Sequence, residues 1–373
     1  MRIGVMLRAI EEKGGVGVYT RNLTRELLDL DRENEYVLFY RGAAASGQFA
    51  DRPNVRERVL GESGKFIWDQ ISVPWACLRE EIDVLLHPKF TVPLLAPCPV
   101  VMVVHGADWF IPEQAQYYGA LDVQYVRHVM PWYFRKSAVV ISVSELTTRN
   151  FETVLDLPPG KIRTVYFAPA RHFAPVESTQ RRGEVRTRYN LPERFVFTLT
   201  KRFGTGRKNF SGLLAAYAHY HGTVSKPLPL VVGGADLEQL RPLHAIPDDG
   251  WGADVIFPGW LDQADLPAIY SQADLFVYPS NLEAFPIPIT EAMACGAPIV
   301  TSAANGLEEI AGDAALFVPP DDPVAIAAAI TRVLAEPPLA ESLRRRGIER
   351  SERYSWDRCA RQTLSILEEV AAG

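Results

Sequence analysis

The feature that most constrains the fold is a regular alternation of short apolar runs and longer amphipathic stretches along nearly all 373 residues. Short apolar runs predict buried strands, and apolar residues at helical spacing predict the connecting helices. This alternation indicates an α/β fold built on parallel sheets. The strands predicted in the first half are Ile3–Leu7, Tyr36–Tyr40, Val84–His87, Val100–His105, Ala138–Val143 and Ile162–Val165. Those predicted in the second half are Phe195–Thr200, Leu228–Gly233, Val255–Phe257, Leu275–Tyr278, Pro298–Thr301 and Ala315–Val318.

The alternation breaks once, from Pro169 to Asn190, in a polar and basic segment with few strand-forming residues. The chain is also longer than one ordinary domain of roughly 100–200 residues. We therefore predict an N-terminal domain over 1–170, a linker over 171–192 and a C-terminal domain over 193–354, followed by a last helix over 355–373. Both domains are predicted to be doubly wound, and such sheets bind ligands beyond the carboxyl ends of their strands.

The composition excludes several classes of protein. Apolar residues make up 47% and charged residues 23% of the chain, which is typical of a soluble globular protein. The net charge of −6 gives no indication of a nucleic-acid partner, although local basic patches remain compatible with it. No stretch has the roughly 20 apolar residues of a membrane span. The four cysteines are far apart, without metal-ligand or redox spacing, and are predicted to be reduced thiols of a cytoplasmic protein.

The segment from Tyr278 to Gly296, YPSNLEAFPIPITEAMACG, carries the strongest functional signal. An apolar strand ends at its first residue, and a proline-rich loop leads into a short helix closed by the glycine. Pro288 suits the first helical turn, and free N–H groups at a helix N-terminus can bind a phosphate. Glu283 and Glu291 would repel a phosphate and are better matched to hydroxyl groups of a sugar and a ribose. The structural alternative is a solvated loop glutamate and a glutamate in the first helical turns.

A second signal is the basic loop TKRFGTGRKN, which lies between a predicted strand and a helix predicted from Asn209. Its glycines are not spaced as in a Walker loop. Cationic side chains here can neutralise a diphosphate leaving group, although a surface basic loop without a ligand would have the same composition. The cations are Lys201, Arg202, Arg207 and Lys208.

Three further segments each have a functional and a structural interpretation. In KGGVGVYT, Thr20 stands where a dinucleotide fingerprint has its third glycine, so this turn is either a backbone approach to a ligand or only a tight turn. His105 closes a predicted strand, where active sites collect, but a lone histidine is often structural. Residues Trp132 to Lys136 have the composition of a membrane-surface patch or of an ordinary helix that covers the sheet.

Taken together, these segments resemble the retaining GT-B glycosyltransferases with the Glu-x7-Glu signature (group 1, family 4). Glu283 and Glu291 have that spacing, and Arg202 and Lys208, followed by Asn209, match the family's phosphate-binding pair. Further similar segments follow in order along nearly the whole chain: GGVGVYTRNL, FIWDQISVP, VVHGADWFIPE, FPGWLDQADLPAIYSQADLFVYPS, EAMACGAPIVTS and AGDAALFVPPDDP.

The resemblance implies two facing Rossmann-like domains with a cleft between them and a last helix that crosses back onto the N-terminal domain. It implies transfer of a mannose- or glucose-type hexose from a UDP-, GDP- or ADP-linked sugar, with retention of configuration and without a cofactor or metal. The implied setting is cell-surface polysaccharide or glycoconjugate synthesis in a bacterial cytoplasm. The acceptor would be a lipid-linked molecule or an oligosaccharide, with peripheral membrane contact as one option.

Individual roles are also implied by the resemblance. Arg202 and Lys208 would hold the donor diphosphate and offset its charge as it leaves. Glu291 would bind the ribose, Glu283 the hydroxyls of the transferred sugar, and His105 the sugar near its reacting carbon. The other implied donor-binding residues are Gly15, Val16, Gly17, Phe285, Pro286 and Ile287.

The chain departs from the family pattern at two positions. The usual Glu-Gly-Phe-Gly is here EAFP, so Pro286 removes one backbone donor beside the phosphate. Phe167-Ala168-Pro169 replaces an Asn-Gly before the linker. Other functions considered are a nucleotide-sugar epimerase or hydrolase, a non-catalytic sugar-nucleotide-binding protein and a natural-product tailoring transferase. A metal-dependent transferase would have to use Asp29-Leu-Asp31, which is predicted at a helix end.

Overall fold

The computed structural model forms two compact units, Met1–Phe167 with Ser355–Gly373, and Ala168–Tyr354. Each is an α/β structure on a parallel sheet, which confirms the predicted class of each domain. The residues that the structure describes are 1–12, 14–200, 206–234, 237–304 and 306–373.

The first unit contains a parallel sheet with the order β3-β2-β1-β4-β5-β6-β7. Six strands lie within a residue or two of their predicted bounds. The edge strand β3 was not predicted, because its sequence VRERV has three consecutive charged residues between two valines that are themselves at least partly exposed. The strands are β1 Arg2–Met6, β2 Glu35–Tyr40, β3 Val55–Val59, β4 Val84–His87, β5 Val100–Val104, β6 Val139–Ser142 and β7 Ile162–Thr164.

Helices cover both faces of this sheet. The helices before residue 160 are α1 Gly15–Leu30, α2 Lys65–Ile67, α3 Val73–Arg79, α4 Pro112–Ala115, α5 Ala120–Lys136 and α6 Glu145–Leu155. A π-helical turn, Trp68–Ser72, joins α2 to α3 into one helical segment, 65–79. That segment, α5 and α6 pack on one face of the sheet, and Trp68, Met130, Phe134 and Phe151 belong to the same core cluster. Ser144 caps α6 as predicted, accepting a hydrogen bond from the Thr147 N–H at 3.2 Å.

The second unit has a parallel sheet of order β10-β9-β8-β11-β12-β13. Its strands are β8 Val196–Leu199, β9 Leu230–Gly233, β10 Val255–Ile256, β11 Leu275–Tyr278, β12 Ile299–Ser302 and β13 Leu316–Val318. Its helices are α7 Thr179–Arg188, α8 Phe210–Thr223, α9 Leu240–Leu243, α10 Leu266–Gln272, α11 Ile287–Ala294, α12 Gly306–Ala311, α13 Pro323–Ala335 and α14 Pro337–Ser351. The last helix, α15 Trp356–Ala372, belongs to the first unit and packs against α1.

The segment that was predicted as a linker contains α7. Two of its arginines, Arg181 and Arg188, ion-pair with Asp265, which is almost fully buried and lies at the start of α10. Arg188 and the Tyr189 hydroxyl each donate to this carboxylate at 2.7 Å. The polar, basic composition therefore serves a fixed contact within the second unit.

All four cysteines are buried free thiols, as predicted. Among the described residues no single helix has the length and apolar character of a membrane span. The stretches Pro323–Ala335 and Pro337–Ala372, the second of which contains α14 and α15, pass that test jointly by length and composition alone.

Candidate functional site

The strand order of the second sheet reverses between β8 and β11. From these two neighbouring strands the chain proceeds to opposite edges of the sheet. Loops that follow such strands at their carboxyl ends form the usual ligand site of a doubly wound sheet. Asn281, in the loop after β11, joins these two loops. Its N–H donates to the Arg207 carbonyl at 2.9 Å, and its side chain donates to the Gly206 carbonyl at 3.0 Å.

Lys208 and Glu283 meet at this point. The Lys208 ammonium donates to Glu283 Oε1 and to the Tyr278 hydroxyl. The Tyr278 hydroxyl donates to the same carboxylate oxygen at 2.8 Å, and Ser280 Oγ lies 3.0 Å from it. Three side chains thus converge on one oxygen of a buried glutamate. The sequence indicated the lysine and the glutamate, but not the tyrosine and serine that position the carboxylate.

Opposing effects act on the ionisation of Glu283. Burial alone would raise the pKa of this carboxyl, because a buried charge loses hydration. The positive charges of Lys208 and Arg207 and the hydrogen bonds from Lys208 and Tyr278 outweigh burial and lower the pKa below its ordinary value. Glu283 is therefore an anion at neutral pH, held by a cation that lies on the adjacent loop.

Glu291 lies in a different environment, on α11. It is buried, and the Tyr270 hydroxyl donates to its Oε2 at 3.1 Å. Burial raises the pKa of Glu291 to about 8, with the Tyr270 hydrogen bond opposing that shift. The two glutamates therefore differ in charge at neutral pH, since Glu283 is ionised and Glu291 is mostly protonated.

The start of α11 offers fewer backbone donors than the sequence pattern predicted. The helix begins at Ile287 after an N-terminal cap at Pro286, with Pro288 in its first turn as predicted. Both prolines lack an N–H. The N–H groups of Ile289 and Thr290 are directed at the Pro286 carbonyl, at 3.0 and 3.3 Å. A phosphate at this terminus would therefore depend strongly on nearby cationic side chains.

Gly306, which the sequence analysis did not single out, supports the loop that carries Glu283. Its N–H donates to the Glu283 carbonyl at 2.9 Å. A Cβ at this position would lie 2.6 Å from the Ala284 carbonyl oxygen and 2.8 Å from that of Glu283. These approaches are below van der Waals contact, so a larger residue must displace the loop.

We expect Gly306→Ala to lower kcat/KM by roughly tenfold to a hundredfold, because a 1 Å displacement of a substrate-positioning group has effects of that order. Steady-state kinetics and thermal melting will measure the change. Gly222→Ala is the matched control, since Gly222 lies in α8 and a Cβ there meets no atom within 4 Å. Equal kinetics in the two variants would show that the Gly306 contact does not position Glu283.

His105 lies in the first unit, directly after β5 as predicted. Burial lowers its pKa to about 4, so the imidazole is neutral. Its Nε2 lies 3.0 Å from the Pro88 carbonyl, which can only accept, so the proton resides on Nε2 and Nδ1 is the acceptor. The buried Tyr19 ring packs edge-on against the imidazole at 4.8 Å between centroids and fixes its orientation.

The glycine-rich turn of the first unit leads into α1. Gly14 is its extended N-terminal cap, and Gly15, Val16 and Gly17 form the first turn. A Cβ at Gly17 would lie 1.8 Å from the Glu12 carbonyl oxygen, so this glycine is required by the turn itself. Gly17 is therefore explained by the tight turn alone. The N–H groups of the first helical turn are still compatible with a backbone approach to a ligand.

Several predicted residues do not join these groupings. Arg202 lies outside the described residues, as do Lys201 and Lys13. Phe285 is buried, and its ring packs edge-to-face on Tyr354 at 5.7 Å, which is a packing role.

Both aspartates of the Asp29–Asp31 alternative are held by neighbouring side chains of the first unit. Asp29 pairs with Arg52 at 2.7 Å. Asp31 accepts hydrogen bonds from the Tyr36 hydroxyl and the Asn34 side chain at 2.7 and 2.8 Å. Across the described ranges, no group of three or more His, Cys, Asp or Glu side chains is placed to hold a metal ion.

A cavity of about 500 Å³ lies in the first unit, between α5 and the α6–β7 connection. It contains none of the predicted site residues. Its lining includes Phe134, Leu155 and Leu157 with the cations Arg135 and Lys161.

Comparison with known proteins agrees with this arrangement over most of the chain. Residues 13–167 match the family described as Glycosyltransferase Family 4, and residues 182–350 match the family described as Glycosyl transferases group 1. O-antigen chain mannosyltransferase B of Escherichia coli is 26% identical, with 95% of this chain and 96% of that protein aligned. The α-D-kanosaminyltransferase of Streptomyces kanamyceticus is 22% identical over 98% of this chain and 99% of its own.

Solved structures show the same fold. Sucrose-phosphate synthase from Thermosynechococcus elongatus superposes with a TM-score of 0.79 at 22% identity, over 100% of this chain and 99% of the other. Anabaena Alr3699/HepE, solved in complex with UDP-glucose, gives 0.77 at 17% identity, over 99% of this chain and all of the other. These solved structures give the GT-B fold, and the family matches to both halves show that the chain belongs to the group 1 and family 4 glycosyltransferases.

Proposed function

We propose that this chain transfers a hexose from a nucleotide-diphosphate sugar to an acceptor hydroxyl with retention of anomeric configuration and without a metal ion. The observation that supports this most is the Lys208–Glu283 pair at the point where the second sheet reverses its strand order. A cation suited to a diphosphate and an anion suited to sugar hydroxyls stand side by side there.

In this proposal Lys208 changes partner when the donor binds. In the structure its ammonium is held by Glu283 and Tyr278. A diphosphate carries more negative charge than one carboxylate, so it attracts the flexible lysine more strongly. Glu283 then accepts hydrogen bonds from the hydroxyls of the hexose, while Tyr278 and Ser280 keep its carboxylate in place.

The departing nucleotide diphosphate is stabilised mainly by nearby positive charges. When the bond between the sugar carbon and the phosphate oxygen breaks, negative charge develops on the diphosphate, and preorganised cations stabilise it. Lys208 supplies one such charge, and the family resemblance assigns a second to Arg202. The acceptor oxygen bonds to the same face of the sugar carbon, and its proton passes to the departing diphosphate.

Glu291 and His105 are proposed to bind hydroxyl groups. A carboxylate that accepts from both ribose hydroxyls must be ionised, so donor binding lowers the raised pKa of Glu291. His105 presents a neutral imidazole whose Nδ1 accepts from a sugar hydroxyl, in agreement with its lowered pKa.

The relatives favour a hexose such as mannose and a role in bacterial surface polysaccharide synthesis. The full-length relative from Escherichia coli is an O-antigen mannosyltransferase. GDP-mannose is therefore the first donor to test, followed by the UDP- and ADP-linked hexoses. A tailoring role in natural-product synthesis is the second candidate, because an α-D-kanosaminyltransferase aligns over nearly the whole chain.

We expect the enzyme to form an α-linked product from an α-linked donor in the presence of a chelator. The assay supplies each donor with octyl glycosides as acceptors, and proton NMR of the product gives the anomeric configuration. A β-linked product would refute retention, and loss of turnover on chelation would refute metal independence. Release of free sugar at an equal rate without acceptor would indicate a hydrolase.

A further inference from the structure

The helical segment 65–79 of the first unit presents an apolar stripe to solvent. Ile67, Ile71, Trp75 and Leu78 recur at helical spacing, and Trp75 is 59% exposed. The opposite side of the same segment is packed in the core through Trp68, which is fully buried. Exposed apolar residues are common singly, but a continuous stripe on one helix indicates a binding surface.

Helix α5 carries a second stripe of the same kind. Leu121, Tyr125 and Trp132 are exposed on one side of the helix, with Trp132 at 60%. Tyr133 and Phe134 are buried against the sheet, so the cluster that the sequence analysis singled out as Trp132 to Lys136 divides between the core and the surface.

Both stripes face solvent on the same side of the sheet, because the opposite, buried sides of the two helices pack in one core cluster. The chain segment that lies between the two helices in the sequence is hydrogen-bonded to both of them. Gln70 binds the Val92 carbonyl and the Leu94 N–H, each at 2.9 Å, and Lys136 donates to the Ala96 carbonyl at 3.3 Å. The exposed sides of segment 65–79 and α5, with Leu95 between them, are called the apolar face below.

On the two helices of the apolar face the exposed charges are mainly positive. Although the whole chain has a net charge of −6, the exposed charged residues on these two helices are one acid and four cations. They are Asp122, Lys65, Arg79, Arg135 and Lys136. Each exposed tryptophan is paired with an arginine of its own helix, Arg79 at 4.4 Å from the Trp75 ring and Arg135 at 5.5 Å from the Trp132 ring.

We propose that the apolar face docks on an anionic lipid bilayer and lies in its headgroup region. Amphipathic helices with aromatic and aliphatic residues on one side and flanking Lys and Arg bind at membrane interfaces in this way. A second copy of the chain is a poorer occupant. A two-fold contact buries the same patch on both copies, so these cations would face a surface of the same positive charge, and protein interface cores are depleted in lysine. Docking would bring the enzyme to the surface where the lipid-linked acceptors that the family resemblance implies would reside.

The test is sedimentation of the full-length protein with vesicles of phosphatidylcholine alone or mixed in equal parts with phosphatidylglycerol. We expect binding to the mixed vesicles and at least tenfold weaker binding to phosphatidylcholine. Trp75→Ser and Trp132→Ser should each weaken binding by on the order of tenfold. Arg79→Glu or Arg135→Glu should weaken it by at least about fivefold, a loss that high salt reproduces.

Trp260→Ser is the matched control, because Trp260 lies in the second unit and is 59% exposed. It should bind vesicles as the wild type does. Absence of wild-type binding, or equal binding by all three tryptophan variants, would overturn the proposal. So would a dimer in light scattering that Trp75→Ser dissociates, since a second copy would then cover the face. No donor is present in these assays, so their outcome is independent of the donor-site proposal.

Discussion

Lys208→Ala is expected to lower kcat/KM by about a hundredfold to a thousandfold. This is the usual effect of removing one preorganised group that stabilises negative charge in the transition state. The loss should fall mainly on kcat, because the charge on the diphosphate grows as the glycosidic bond breaks. Steady-state kinetics with a saturating acceptor will measure it. Lys226→Ala, at an exposed lysine of the same unit, is the control and should react at the wild-type rate.

The same variant tests the buried ion pair in the absence of substrate. Removal of Lys208 leaves Glu283 buried without its nearest cation, which raises the pKa of that carboxyl and destabilises the protein at neutral pH. The destabilisation should diminish as the pH falls and Glu283 becomes protonated. Adding Glu283→Gln should restore most of the stability but not the activity. If Lys208→Ala melts like the wild type and keeps its kcat, both assigned roles of the pair are wrong.

The second large effect is expected at Glu291. Glu291→Ala should weaken donor binding by about a hundredfold at pH 8 and above, since two hydrogen bonds to a carboxylate contribute roughly 1.5 kcal/mol or more each. In the wild type the carboxyl must lose its proton for binding. The dissociation constant should therefore fall about tenfold for each unit as the pH rises toward 8.

The sign of the accompanying stability change is fixed by the raised pKa. A carboxyl with a pKa of about 8 in the folded protein and an ordinary value of 4.5 in the unfolded chain takes up a proton on folding between these values. The wild type should thus lose about 1.4 kcal/mol per pH unit relative to Glu291→Gln as the pH rises through that window. The glutamine variant should show neither the stability change nor the pH-dependent affinity. A wild-type dissociation constant that is constant from pH 6 to 8 would argue against ionisation of Glu291 on binding.

The regular apolar runs made the fold predictable, because parallel strands that are buried on both faces consist almost entirely of apolar residues. The final helix and the helix at Pro288 followed from the spacing of apolar residues and from proline at a first turn. Strand β3 was missed for the converse reason, since this exposed edge strand carries three consecutive charged residues. Arg181 and Arg188 of α7 appeared to belong to a linker, because their partner Asp265 is about 80 residues away in the sequence.

The site was predictable only in part. Motif spacing identified Lys208 and Glu283, but it could not show that the two side chains pair with each other. That contact depends on two loops joined through Asn281. Nor could the sequence assign opposite protonation states to two glutamates eight residues apart, because the pKa of each depends on which charges reach its buried carboxyl.

The most direct test of the donor site is a calorimetric titration of the full chain, in chelator at pH 8, with UDP-, GDP- and ADP-linked hexoses. The proposal predicts that one nucleotide series binds the wild type, and that the affinity falls about a hundredfold in Glu291→Ala and by a smaller factor in Lys208→Ala, whose main loss is in kcat. If both variants bind that donor as tightly as the wild type does, the donor is bound elsewhere and the proposed site is wrong.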